Sequence, residues 1–237
     1  MSLVEISLHN HTVLSPCAEL EMTPARIMER AAAEGIEVIG ITDHNSAKNL
    51  RAAEYQAEKA GLRLLPGIEI TSSEDIHLLA FFEEVKVAEL VADELDQKLF
   101  KREYNPERIG YQIIVDQNDE FSGVIDYYLP AAVSLGINQV SRLVNNAGGI
   151  LIPAHIFRSQ GLIKTLGFLP EKPVFKVLEY TLAEDLEELK ARFNLVDDLK
   201  FIKSNDSHFI DSIKKVARID LPETYTRRDI LEVLSQR

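Results

Sequence analysis

Six histidines, His9, His11, His44, His77, His155 and His208, recur through the sequence in the company of Asp43, Glu69 and Asp206. Imidazoles and carboxylates together suit Zn, Mn or Fe. These residues gather at the ends of short apolar runs, so the set predicts a polynuclear metal site. Each piece alone has an ordinary reading. A His-x-His in a strand is often two exposed imidazoles, Thr-Asp-His can be a helix-capping aspartate beside a surface histidine, and a lone histidine after Pro-Ala can be a satisfied core residue. Repetition on five separate runs carries the inference.

The runs that bear them read as strands, and helical stretches alternate with them, which is the pattern of an α/β fold with mostly parallel strands. Strand-like segments fall at 3–8, 38–42, 62–70, 78–82, 150–153, 174–180, 199–203 and 216–221. A first helix has Thr23 as N-cap, Pro24 at its first position and Gly35 past its end. Others are expected over about 47–60, 85–102, 138–147, 184–193 and 227–234. In parallel sheets and barrels, chemistry collects at the carboxyl ends of strands. His9 and His11 follow 3–8, Asp43 and His44 follow 38–42, Glu69 closes the third run, His155 follows 150–153, and Asp206 and His208 follow 199–203.

His77 precedes its strand instead. Only a short stretch separates it from the third run, enough for a hairpin but not for a parallel crossover. The fourth strand is therefore expected to run antiparallel to the third, which brings His77 to the same face as Glu69.

Residues 83–149 interrupt the alternation with an acidic helix, an Asn105-Pro106 stop and a segment whose Gln117-Asn118-Asp119 could turn a hairpin. The stretch is too long for a simple connection. It reads either as an embellishment covering the barrel or as a lid that shapes substrate choice.

The 237 residues, 46% hydrophobic, fit one large domain over 1–237. No run approaches the ~20 apolar residues of a membrane span, and the amino end has no signal-peptide pattern. The single cysteine, Cys17, cannot form an internal disulfide, so a cytoplasmic setting is expected. A net charge of −12, from 26 basic and 38 acidic residues, predicts no binding to duplex nucleic acid. It leaves a small anionic substrate open, because bound dications reverse a local potential. Oligomeric state is not legible.

With these residues in place, the chain resembles the PHP (polymerase and histidinol phosphatase) superfamily of metal-dependent phosphoesterases. The matching motifs are Leu8-His9-Asn10-His11-Thr12, Ile41-Thr42-Asp43-His44, Gly67-Ile68-Glu69-Ile70 with His77, Pro153-Ala154-His155, and Ser204-Asn205-Asp206-Ser207-His208. The resemblance implies a distorted (β/α)7 TIM-like barrel with an inserted helical and hairpin segment, and two or three divalent ions (Zn, Mn or Fe) at its mouth. It also implies that His9, His11, Glu69 and Asp206 hold one metal, that Glu69 bridges to a second held by His77 and His155, and that His44 and His208 help hold a third. Asp43 then orients a ligand rather than binding metal. One departure stands out: where many members supply Ser-Asp-Gly or another histidine, this chain reads Ser15-Pro16-Cys17. Cys17 is either a thiolate ligand of the third metal or a small buried filler, and Glu19 or Glu21 could reach in instead.

The implied chemistry is hydrolysis of a small phosphomonoester or nucleotide by metal-bound hydroxide, with a short oligonucleotide also in range. A metal pair would clamp the attacking and leaving oxygens. Arg158, three residues past His155, is the candidate cation for phosphate oxygens, unless it is an ordinary loop arginine. The alternatives are an amidohydrolase-like enzyme cleaving a non-phosphate bond and a non-catalytic metal-binding PHP module.

Overall fold

In the computed structural model, residues 1–170, 174–192 and 199–235 are described. Strand β1 (Ser2–Ser7) leads to helix α1 (Pro24–Glu34), which starts on the Thr23 cap with Pro24 and stops at Gly35 in the left-handed region. Strand β2 (Val38–Ile41), helix α2 (Leu50–Ala60) and strand β3 (Arg63–Thr71) continue the alternation. Strand β4 (His77–Phe81) then returns antiparallel to β3, with Thr71 opposite His77, as the short connection demands.

Helix α3 (Val85–Lys98), one-turn helix α4 (Pro106–Ile109), hairpin strands β5 (Ile113–Val115) and β6 (Phe121–Val124), and helix α5 (Ile137–Asn146) make up the 83–149 segment. Helix α3 has already ended at Lys98, and Asn105-Pro106 opens a turn of helix rather than ending one: the Asn105 side chain accepts from Glu107 N, and proline is suited to the first helical position. The hairpin turns where expected, with Asp119 at φ 62°. Strand β7 (Ile150–Pro153), helix α6 (Leu162–Leu166), strand β8 (Val177–Tyr180), helix α7 (Ala183–Arg192), strand β9 (Lys200–Lys203), strand β10 (Ala217–Leu221) and helix α8 (Arg227–Ser235) complete the chain. Residue 193, expected to end α7, lies outside the described residues.

A curled six-stranded sheet runs in the order β10-β1-β2-β3-β4-β7, and β8 pairs with β9 in parallel. Alternation sorts the apolar side chains onto two faces. Val4, Ile6, Val38, Leu79, Phe81 and Ile152 pack on one face with Ile230, Leu231 and Leu234 of α8. Ile39, Ile41, Leu78 and Ala80 face the other way, toward the buried stripes of α1, α2, α3 and α5. Gly40 lets β2 lie close against the end of β1, since a Cβ there would meet Leu8 O at 2.1 Å.

The hydrogen bonds just past the strand ends matter most for the site. Thr42 N donates to Asn10 O, Asn45 N to Glu69 O, Ala154 N to His77 O, and Ile156 N to Glu179 O. Ser204 N donates to Tyr180 O, and Ser207 exchanges bonds with His9 O and His11 N at 3.0 Å each. These links join the ends of β1, β2, β3, β4, β7, β8 and β9 around one mouth. The α/β expectation holds. The sheet ladder itself is six strands plus a separate pair rather than a regular seven-strand ring.

Candidate metal centre

Glu69 stands at the centre of the mouth, at the point where β3 continues past its partner β2. Its Oε1 lies 2.9 Å from His77 Nδ1, 3.3 Å from His155 Nε2 and 3.4 Å from His9 Nε2. Its Oε2 lies 3.1 Å from His44 Nδ1 and 3.3 Å from His11 Nε2. Asp206 Oδ1 is 3.2 Å from His9 Nε2 and 3.4 Å from His11 Nε2, and the His208 ring stacks on His11 at 4.4 Å. All six histidines and both carboxylates therefore meet.

The donor set suits divalent cations. Nδ1 of His44, Nδ1 and Nε2 of His77, Nδ1 of His155 and Oδ1 of Asp206 are buried without hydrogen-bond partners among the described residues. Buried polar atoms are otherwise almost always paired. His77 Nδ1 approaches Glu69 closely yet misses hydrogen-bond geometry, which fits lone pairs directed at a shared third atom. Among the described residues, three groups have ligand atoms all within 4.8 Å of one another: His9, His11 and Asp206; His44, Glu69 and His77; and His11, Cys17, His44 and His208. His11 and His44 each belong to two groups. His155 joins none of the three, although it touches Glu69.

The charges respond to this crowding. Burial would raise Glu69, but His77, His9 and His44 outweigh it and hold the carboxyl well below its usual range. Asp206 is likewise depressed despite burial, chiefly by His9 and His11. Burial opposes a charged His9, yet Glu179, Asp206 and Glu69 hold it well above the usual histidine value, and His11 rises to about 9 through Asp206 and Glu69. Burial and the neighbouring imidazoles pull His44 well down and His208 to about 4. The carboxylates thus demand positive charge at His9 and His11, the charge that a dication supplies.

A second layer sets the tautomers. His9 Nδ1 lies 3.0 Å from Glu179 Oε2, His11 Nδ1 lies 3.0 Å from Ser15 Oγ, and His208 Nδ1 lies 2.9 Å from Asp206 O, so each ring directs Nε2 inward. Asp43 accepts from Thr12 N, Thr12 Oγ1 and Ser15 Oγ, all at 2.7 Å, and so holds the serine that orients His11. Sequence reasoning missed Glu179 and Ser15. The available signal for Glu179 was a carboxylate inside the apolar strand β8, where burial requires a partner. His155 at φ 26° and Asp206 at φ 52° occupy the left-handed region, a backbone strain common where side chains must be aimed at a site.

Of the three residues considered for the departing motif, Cys17 enters a ligand group, with Sγ 3.3 Å from His44 Nε2. Cys17 is solvent-exposed at the mouth, yet the crowded surroundings of its sulfur, with Glu69 and Asp206 nearby, push the thiol up, so a thiolate there needs a cation beside it. Glu19 donates its backbone N–H to His208 O, and Glu21 faces Arg26 at 3.6 Å; neither joins a ligand group among the described residues. Arg158 stands half-exposed at the rim with Nη1 2.9 Å from Asp206 Oδ2. The pocket is about 250 Å³ and includes Tyr128 and Pro130 from the 83–149 segment. A larger cleft of about 620 Å³ opens elsewhere, between α8 and the β7–β8 region, and holds none of the candidate ligands.

The PHP domain family model matches residues 7–144. A 5'-3' exoribonuclease from Haemophilus influenzae is 30% identical over 66 residues, which cover 28% of this chain and 23% of that protein. Endonuclease Q in complex with a 27-mer duplex bearing an abasic lesion at the active site has the same fold, with a TM-score of 0.71 at 15% identity over 98% of this chain. The chain spans 56% of that endonuclease. A Bifidobacterium adolescentis protein assigned as a metal-dependent phosphoesterase aligns at TM-score 0.61 and 21% identity, over 98% of this chain and 96% of its own.

The endonuclease complex overturns the expectation that duplex nucleic acid is excluded, since a duplex can occupy the active site of a protein with this fold. Net charge sums the whole surface, whereas a site responds to its local charges, and dications invert those. No described helix is long and apolar enough to cross a membrane.

Proposed function

The chain belongs to the PHP domain family, and from that premise we propose that it is a metal-dependent hydrolase of phosphoesters, with nucleotide phosphates as the substrate class. The observation that carries this reading is the meeting of six histidines with Glu69 and Asp206, several of their buried atoms unpartnered. The names of the exoribonuclease and endonuclease relatives support the nucleotide assignment. We read the mouth-linked strands as a distorted (β/α)7 barrel acting as one unit over 1–237, with 83–149 shaping the rim.

His9, His11 and Asp206 would hold one ion, and Glu69 with His77, His44 and the adjacent His155 a second. Cys17 and His208, together with whichever of His11 and His44 is free to serve it, would hold a third. Bound Zn, Mn or Fe would lower the pKa of water and offset phosphate charge. Glu179 fixes the His9 ring and accepts the His155 backbone N–H at 2.8 Å, so one carboxylate sets two ligand segments. Asp43 is a positioning residue that acts through Ser15. Arg158 pairs with Asp206 and would turn its guanidinium to two phosphate oxygens.

The test is elemental analysis of the purified protein, then phosphomonoester, nucleotide, single-strand and duplex panels beside amide and lactone panels, with Mn or Zn added back. Asp206→Asn and His155→Ala should abolish phosphoester hydrolysis while circular dichroism stays native. Full activity in metal-free protein, or turnover of amides alone, overturns the reading.

A further inference from the structure

One wall of the histidine pocket is unexplained by any ligand role. Tyr128 lines it beside Pro130 and Arg158, half-buried, and is the only phenyl or phenol ring among the described residues that does so. The Arg102 guanidinium lies over this ring, 4.5 Å from its centroid.

The backbone on both sides of Tyr128 is pinned. Gln112, fully buried, donates from Nε2 to Tyr127 O at 2.6 Å and accepts from Leu129 N at 2.8 Å. Asn45, the residue after His44, donates to Leu129 O at 2.7 Å and Ala131 O at 2.9 Å, and accepts from Thr71 N at 3.2 Å. Tyr128 N itself donates to Arg102 O at 3.0 Å. Two buried amides therefore fix one short loop, Asn45 tying it to the segment that carries His44 and Gln112 bracing it from within 83–149, and the Tyr128 ring packs against the core and Tyr104 on one side while lining the pocket on the other. Such support is what pre-organises a binding group.

An aromatic ring covered by a guanidinium, beside a cluster suited to phosphate, fits a planar heteroaromatic ring, because nucleobases stack on aromatic side chains and on arginine. The pocket of about 250 Å³ is smaller than the ~300–1,000 Å³ of sites that enclose a whole ligand. It suits a phosphate and its nearest groups, with the remainder of the substrate outside. We propose that Tyr128, backed by Arg102, is the base-binding wall of this site, and that the substrate presents a nucleotide whose base is unstacked. Such a base comes from a strand end or is extruded from a duplex. The proposal rests on the phosphoesterase reading above.

Two probes separate the base from the phosphate: adenosine 5'-monophosphate and ribose 5-phosphate, each given to the metal-loaded protein in turnover and in equilibrium binding. The preference for the adenosine compound should fall about tenfold or more in Tyr128→Leu and persist in Tyr128→Phe. An unchanged preference in Tyr128→Leu, or its loss in Tyr128→Phe, overturns the wall. Turnover without base dependence sinks this proposal alone. Base-dependent binding lost in Tyr128→Leu, with no phosphoester of any panel hydrolysed, upholds the wall and sinks the phosphoesterase reading.

Discussion

Glu179 Oε2 lies 3.0 Å from His9 Nδ1 across 170 positions of sequence, and both side chains are buried. The contact orients an imidazole whose other nitrogen faces Glu69 and Asp206. Glu179→Gln keeps the shape and a possible acceptor but removes the charge that raises ligand basicity. Outer partners of this kind are typically worth about 10–100-fold in metal affinity. Titration with Zn or Mn should show that loss, and unchanged affinity would mean that Glu179 serves the fold only.

Chelation should cost stability, because the proposed centre would bind cations that the unfolded chain would not. At a metal concentration a hundred times the dissociation constant the stabilisation is about 2.7 kcal/mol. For a chain of this size it corresponds to roughly 5–10 °C in Tm. Thermal melts before and after chelation, with metal then restored, measure it; coincident melts would count against a native metal centre.

Cys17 offers a spectroscopic handle. A thiolate is a softer ligand than the imidazoles and carboxylates around it, so it should favour zinc or cobalt over manganese. Cobalt-loaded protein should show a thiolate-to-metal charge-transfer band that Cys17→Ser lacks, together with the loss of one bound equivalent. A band that survives the substitution, or none in the parent chain, removes Cys17 from the ligand set.

The tip of the β5–β6 hairpin holds down the start of helix α1. Both Asp119 carboxylate oxygens accept from Ala25 N, at 3.0 and 3.2 Å, at the start of α1. Asp119→Ala removes that acceptor and leaves alanine at φ 62°. The expected cost is about 1–3 kcal/mol, read by denaturant unfolding, with metal content unchanged. A neutral substitution would show the hairpin contact to be incidental.

The strands and the histidines and carboxylates at their ends were legible because their signals are local. Thr23, Pro24 and Gly35 bound α1 through backbone sterics and capping, and the short 71–77 connection permits only a hairpin. Asn105-Pro106 misled as a stop because the same pair starts a helix when the following residues can form a turn. The net charge misled about duplex nucleic acid because it carries no spatial information.

By itself the sequence determined the residue types of the centre and the strand ends that present them, since hydrophobic periodicity and turn chemistry act over a few residues. Only the tertiary structure decided which partners those residues keep. Glu179 beneath His9, Ser15 and Asp43 behind His11, Cys17 rather than Glu19 or Glu21 beside His44, and Tyr128 at the rim are contacts between segments distant in sequence or choices among near neighbours. Such contacts are fixed by how the sheet curls and closes at its mouth, through hydrogen bonds whose partners no local pattern specifies.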